Sequence, residues 1–243
     1  MKKKMKPLTI LLAIALLFPS CHRRNEAKER IQAEREAWEA SLPDSLARVE
    51  HQMDSVRAEI TTLSADMERM LPDFDYVNNP REVEGYYIAK AWKAGYPLKS
   101  TGLMARLTQG ENLELIAALS GSGVFNQLRV EVDGQTAETS VVPHDQALNY
   151  RIEGLNTVCF SDSAANSVAA LIASPPSGGR GANIIFLNDG KQTGYLTYPA
   201  KSQDVMTATW NLYSTRSRIQ HDERLIPLLA RKAALLSDRI EKK

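Results

Sequence analysis

The stretch from Leu42 to Met70 constrains this chain more than any other. Its apolar residues fall at Leu42, Leu46, Val49, Met53, Val56, Ile60, Leu63, Met67 and Met70, alternately four and three apart. That spacing makes a single apolar seam along an α-helix that must lie against another helix. Pro43 suits the first turn, where its missing N–H has no helical partner, and Asp44 sits at the positive end of the helix dipole. Pro72 closes the helix. From Leu42 to Leu71 it would run about 43 Å at ~1.5 Å per residue. The flanking positions Glu50, Arg57 and Ser64 with Gln52, Glu59 and Asp66 hold no consistent set of opposite charges for a parallel homodimer. The seam therefore demands a partner without naming it.

The seven-residue period returns at the other end of the chain. Val205, Leu212, Ile219, Ile226, Ala233 and Ile240 are each seven apart, with Ala208, Leu229 and Leu236 on the adjacent seam position and Thr215 and Asp222 interrupting it. Ser202 is a candidate N-cap and Asp204 lies in the first turn. Residues 222–242 read as helix. Val205 to Tyr213 reads as helix too, with a strand as the alternative because of Thr207, Thr209 and Trp210. Pro227 is expected to kink this helix or divide it in two. Both periodic segments flank one block, and domain termini often lie close together, so an antiparallel pair within one chain is expected. Pairing between two copies, a homo-oligomer through the heptad helix, is the rival. With Leu71 beside Ser202, Pro43 falls opposite Ala230, so the two prolines would interrupt the pair at nearly the same height.

Residues 73–200 change character, giving short β-rich runs between turn residues: 83–89, 103–108, 113–119, 127–132, 138–142, 148–152, 158–161, 184–188 and 194–198. Gln109-Gly110-Glu111-Asn112 and Asp133-Gly134 read as hairpin loops. Spacing this close implies antiparallel meanders rather than βαβ crossovers. One helix is expected at 164–173, behind the cap candidates Asp162 and Ser163. The Pro/Gly-rich stretch 175–181 reads as an exposed linker. The fold class expected is thus α+β, an antiparallel β-rich domain (73–200) flanked by long coiled-coil-like helices at 42–71 and 202–242.

The N-terminus supplies an address. Lys2, Lys3, Lys4 and Lys6 precede an apolar run from Leu8 to Leu17, and Phe18, Pro19 and Ser20 lead into Cys21, the plan of a secretory signal over residues 1–20. Ten apolar residues are too few to span a bilayer. Residues 21–41, rich in Glu, Ala, Arg and Lys, read as a helical linker with Ile31 and Trp38 seven apart. Without residues 1–20, 26 basic and 29 acidic side chains remain, a net charge of −3 that argues against a nucleic-acid partner. The basic cluster His22, Arg23 and Arg24 suits anionic lipid head groups.

Ser20-Cys21 resembles the lipobox of bacterial diacylglyceryl-modified lipoproteins, although Phe18 replaces the usual leucine and Pro19 is unusual. The resemblance implies acylation of Cys21 and partnership with membrane lipid, two or more acyl chains being needed for stable anchoring. The order of parts, with the heptad run from Leu42 to Met70 and β-rich runs such as Leu113-Glu114-Leu115-Ile116-Ala117, resembles uncharacterised cell-envelope lipoproteins of the Bacteroidetes over residues 20–240. That layout implies architecture and location and no activity. No acidic cluster of surface-exported lipoproteins follows the cysteine, and no aspartate of the kind that retains enteric lipoproteins in the inner membrane. The resemblance therefore implies the outer membrane, facing the periplasm.

Catalytic signatures are scarce. With Cys21 acylated, Cys159 is the one remaining thiol, and its strand setting reads as a small buried hydrophobe. His22, His51, His144 and His221 fall at no metal-ligating spacing, so neither metal nor cofactor is expected. His144-Asp145 is the best local polar pair, and Pro143 before it reads as a turn. Nucleophile elbow, Walker loop and dinucleotide fingerprint are missing from the sequence. The expected function is a non-enzymatic scaffold or interaction module with an envelope protein partner. A periplasmic hydrolase or small-ligand-binding protein is the alternative, with His144, Asp145, Tyr150 and Arg151 converging on a pocket in the β domain.

Overall fold

The computed structural model describes residues 18–80, 82–145, 147–174 and 181–242, with side chains from Lys28 onward. The expected signal lies outside the described residues as far as Leu17, as do the side chain of Cys21 and the linker residues 175–180. The architecture is α+β: two antiparallel sheets, a long helical N-terminal stretch and a long C-terminal helix. No helix among the described residues is long and apolar enough to cross a membrane.

Helix α1 (Phe18–Ala40) meets α2 (Leu42–Met70) at Ser41, whose hydroxyl donates to the Trp38 carbonyl (2.7 Å). Along α2, every seventh residue from Leu42 through Val49 and Val56 to Leu63 is buried, whereas Leu46, Met53, Ile60 and Met67 on the other seam position are half-buried. A 3-10 turn at Leu71–Asp73, with Pro72 inside it, stops the helix. The chain divides into two compact units, one of residues up to Arg57 with those from Arg224, the other of Ala58–Glu223.

In the second unit the strands are β1 (Phe74–Val77), β2 (Tyr86–Ala89), β3 (Gly102–Thr108), β4 (Leu113–Ser120), β5 (Gln127–Val132), β6 (Gln135–Glu138), β7 (Asn149–Ile152), β8 (Leu155–Phe160), β9 (Asn183–Asn188) and β10 (Lys191–Thr197). The short helix α3 (Lys90–Lys93) follows β2, and α4 (Ser163–Ala173) follows β8. Six strands form one sheet in the order β1-β2-β3-β4-β8-β7, and four form the other as β10-β9-β5-β6. The chain leaves the first sheet after β4, builds β5 and β6, and returns for β7 and β8.

Several strands differ from the sequence reading. β1 is not expected from it, the runs expected at 83–89, 158–161 and 194–198 are strands at 86–89, 155–160 and 191–197, and the run expected at 138–142 is strand at 135–138 instead. The last shift has its reason in the turn. Asp133 (φ +49°) and Gly134 (φ +80°) reverse the chain in two residues, so pairing resumes at once with Gln135 opposite Val132.

Alternation builds the core. Leu103, Ala105 and Leu107 on β3, Leu113, Leu115 and Ala117 on β4, and Val158 and Phe160 on β8 point inward from the six-stranded sheet. Leu128 and Val130 on β5 and Ile184 and Phe186 on β9 belong to the same core, with Phe125 edge-on to Phe186 at 4.9 Å between ring centroids. Each such large side chain contributes roughly 1.5–3 kcal/mol by leaving water. Asp162 caps α4 by accepting from the Ala165 N–H (2.9 Å), and Val168, Ala169 and Ile172 bury its inner face.

Helix α5 (Ala200–Glu241) is continuous. Met206, Thr209 and Leu212, three apart, are wholly buried, and Gln203 donates to the Ile172 carbonyl at the end of α4 (2.9 Å), so a helical face rather than a strand satisfies this segment. The expected division at Pro227 does not occur. Pro227 is exposed, so the carbonyl it deprives of a partner stays open to water, while Leu229 beside it is buried and holds the seam. In the second unit Arg218 of α5 donates to Glu59 of α2. That contact sits one turn from the register expected with Leu71 beside Ser202, which would set Glu59 against Ser214.

Candidate functional site on the outer face of the six-stranded sheet

The residues that alternate outward from this sheet are not all apolar. On β3 they are Met104, Arg106 and Thr108, and the antiparallel register sets Arg106 against Glu114 and Met104 against Ile116 of β4. β8 then places Cys159 beside Ile116, β7 places Tyr150 beside Thr157, and β2 places Tyr86 beside Thr108. Glu82, Val83 and Glu84 border this face, as do Tyr96, Ala147 and Leu148. The result is a groove of about 480 Å³.

Arg106 organises the groove. Its Nε donates to Glu114 (2.5 Å), and its Nη1 donates to Glu82 (2.5 Å) and to the Tyr96 hydroxyl (2.8 Å). The guanidinium lies over the Tyr86 ring, 4.3 Å from its centroid, in cation–π geometry. Burial works against the charge of Arg106, but Glu114 first, and then Tyr96 and Glu82, hold its pKa above the ordinary guanidinium value. Burial likewise pushes the Tyr96 phenol well above its usual range, so it stays a neutral hydroxyl. Tyr86, edge-on to Tyr96 at 5.8 Å, is raised by burial and then by Glu82.

Cys159, expected as a small buried hydrophobe, is half-buried and lines the groove. Burial, and then Glu114, push its thiol up to about 12, so at neutral pH it is neither thiolate nor nucleophile. Among the described lining residues three carboxylates face one guanidinium, which makes the groove acidic by two formal charges.

The four residues expected to converge do not. Tyr150 lines the groove. His144 is exposed on the loop before β7. Asp145 spends its Oδ1 on the backbone N–H groups of Leu148 (2.6 Å), Ala147 (2.8 Å) and Asn149 (3.1 Å), which hold its carboxyl below the usual range. Arg151 donates to the carbonyls of Ser122 (3.0 Å) and Gly121 (2.5 Å). The loop carrying His144 and Asp145 is fixed by a buried amide chain. Asn149 donates to the carbonyls of Val142 (2.8 Å) and Phe125 (3.2 Å), and Asn156 donates to Asn149 Oδ1 (3.0 Å). His51 and His221 are both exposed, and among the described residues no group of acidic, His and Cys side chains could hold a metal ion.

Sequence reasoning missed Arg106, Glu82, Tyr86 and Tyr96. Counting outward from the expected 109–112 loop sets Arg106 opposite Leu115; the observed turn is one residue shorter, with Thr108 bonded to Asn112, and that shift brings Glu114 to Arg106. A smaller cavity of about 240 Å³ lies between α2, α5 and β2, where Arg216 reaches Glu111 (3.2 Å) and covers the Tyr87 ring at 5.3 Å. Comparison of the chain with protein-family models, with curated proteins and with solved structures gives no match.

Proposed function

We propose that this is a lipid-anchored protein of the cell envelope, held to a membrane through acylated Cys21 and facing the periplasm, which binds a partner through the outer face of its six-stranded sheet and performs no chemistry there. The observation that carries the reading is the state of the groove. Its guanidinium is already engaged by two carboxylates and its thiol is protonated, so the groove offers rigid tyrosine and carboxylate surfaces without an activated nucleophile or base. Small-ligand binding is the second reading, favoured by the groove's volume of about 480 Å³. The layout shared with Bacteroidetes envelope lipoproteins supports location, as does the Ser20-Cys21 junction.

Helices α2 and α5 form an antiparallel coiled-coil stalk in this reading. Arg218 meets Glu59 in one unit, and in the other Arg239 lies over the Trp38 ring at 5.1 Å. Cysteines replacing Glu59 and Arg218 in a Cys159→Ala background should form an intramolecular disulfide; bridges only between chains would mean that the helix pairs with its own copy.

The reading is tested with a photo-crosslinking residue at Val83, on the groove rim, in intact envelopes. A discrete adduct is expected there and not from the same residue at Thr136 on the other sheet, and Cys21→Ala should release the protein from the membrane fraction. Equal labelling from both positions, or turnover of ester or peptide substrates by the purified chain that is lost in Cys159→Ala, would overturn it.

A further inference from the structure

The unit that contains α1 also contains the last part of α5, and the outward face of that segment, Arg239 apart, makes no hydrogen bond, ion pair or ring contact with α1 or α2 among the described residues. Arg224, Leu228, Arg231, Leu235, Arg239 and Lys242 follow one another at steps of three or four, so they share one side of the helix, and all are exposed. Lys232 flanks them. Leu228 is 65% and Leu235 60% exposed, while Leu229 on the opposite side is buried. Among the described residues Arg224, Arg231 and Lys232 enter no ion pair, and Lys242 pairs with Asp238 (2.7 Å). Arg239 covers one side of the Trp38 ring, and Trp38 as a residue remains 47% exposed.

The composition of this face selects its partner. A solvated helix surface mixes charges of both signs in similar numbers, whereas this stripe carries four basic residues, with Lys232 flanking them, against Asp238 at its edge, which Lys242 pairs, and Glu39 beside Trp38. Two leucines and a tryptophan amid the basic residues add apolar surface that water penalises and that a nucleic-acid backbone would not relieve. Basic residues flanking Leu and Trp on one side of a helix are the pattern of helices that lie in a lipid interface. We propose that this face of α5 docks on an anionic lipid surface, with its arginines and lysines against the phosphate head groups and Leu228, Leu235 and Trp38 at the acyl boundary. The inference rests on the membrane-anchored reading only for proximity, because the anchor keeps such a surface within reach. The stripe is about 27 Å long at ~1.5 Å per residue, enough to contact several head groups at once.

The test uses the full chain carrying Cys21→Ala, so that no acyl chain contributes, and vesicles of phosphatidylcholine with or without one third phosphatidylglycerol. Binding is expected to be tighter on the anionic vesicles and to weaken with salt. The triple variant Arg224→Gln, Arg231→Gln, Lys232→Gln should lose about a hundredfold on them, at roughly fivefold per basic side chain near an anionic surface. Its helical circular dichroism should match the parent, since all three side chains are exposed. Leu228→Ser with Leu235→Ser should weaken binding even at high salt. Equal binding of parent and triple variant to anionic vesicles would overturn the proposal. So would tighter, triple-sensitive binding to duplex DNA than to vesicles, or dimerisation without lipid that the same three substitutions abolish. Failure of the anchor reading shows elsewhere, as unchanged membrane fractionation of a processed Cys21→Ala protein in cells.

Discussion

Removing the Arg106 side chain while leaving its partners in place is the sharpest perturbation of the groove. The Arg106 side chain is 13% exposed, and those of Glu114 and Glu82 are 18% and 23% exposed, so the cluster is mostly desolvated. Arg106→Met keeps the aliphatic bulk and removes the charge, leaving two carboxylates facing each other without a cation. Breaking a buried pair in this way costs about 3–5 kcal/mol. Partial exposure of both glutamates argues for the lower end, about 3 kcal/mol. The cation–π contact with Tyr86 is lost as well. For a chain of this length each kcal/mol shifts Tm by roughly 2–4 °C, so a fall of roughly 6–12 °C is expected in thermal unfolding. The triple variant Arg106→Met, Glu82→Gln, Glu114→Gln should recover most of that loss, because the penalty arises from the unpaired charges and not from the missing guanidinium. Urea denaturation of the parent, the single and the triple variant measures both effects. A single variant within about 0.5 kcal/mol of the parent, or a triple variant no more stable than the single, would refute the electrostatic account of the groove.

Three further outcomes follow from the same geometry. The Cys159 thiol, pushed up to about 12, should react with iodoacetamide at pH 8 at least tenfold more slowly in the folded chain than in guanidinium, where its pKa returns to ~8.5. Because its folded pKa is the higher one, the stability linked to it is fully present below about pH 8.5 and drains away as pH rises toward 12; a parent and Cys159→Ala with identical alkaline unfolding curves would contradict this. Leu63→Asp places a charge at a buried seam position and should cost several kcal/mol in urea denaturation, against less than about 0.5 kcal/mol for Thr62→Asp on the exposed side. Asp162→Ala removes the cap of α4 and should cost about 1 kcal/mol, a loss that Asp162→Asn largely avoids by keeping a side-chain acceptor; equal losses in both would argue against capping.

How far the fold was legible depended on the range of the interactions involved. The seam of α2 could be read because its period is local, and the cap of α4 because Asp162 lies three residues from the N–H it accepts. The hairpin turns were legible in part. Asp133-Gly134 and Asp189-Gly190 both turn through left-handed φ values, +49° with +80° and +48° with +76°, and the Asp-Gly pair marks them. Glu153-Gly154 makes the same turn with φ +51° and +80°, yet glutamate has no short side chain to favour that region, so it left no mark in the sequence. The groove was the least legible part. The expected 109–112 loop misaligned Arg106 with Glu114 by one residue, and Glu82 reaches the same guanidinium from 24 residues away and Tyr96 from 10, across a segment with no periodic pattern. His144 with Asp145 attracted notice because adjacency is visible in a sequence. Adjacent side chains in a turn serve the turn, however, as the three backbone N–H groups gathered by Asp145 illustrate.

The same arithmetic explains why the basic face of α5 escaped a search for basic runs. In linear order its residues are interleaved with Ile226, Leu229, Ala233, Leu236 and Ile240, the seam positions, and with Asp238 and Glu241. No window of the chain after Arg24 therefore looks strongly cationic. On a helix the steps of three and four that collect the apolar residues on one side collect a second set on another, and here that second set is Arg224, Arg231, Arg239 and Lys242 with two leucines between them. A seam demands only one side of a helix; the other sides are free to vary without cost to the fold. A purely solvated side has no need of Leu228 and Leu235, and burial within the unit does not require them, since both remain more than half exposed. Their place on a largely cationic side is accounted for by a surface that accepts charge and apolar groups together. An anionic bilayer interface is such a surface.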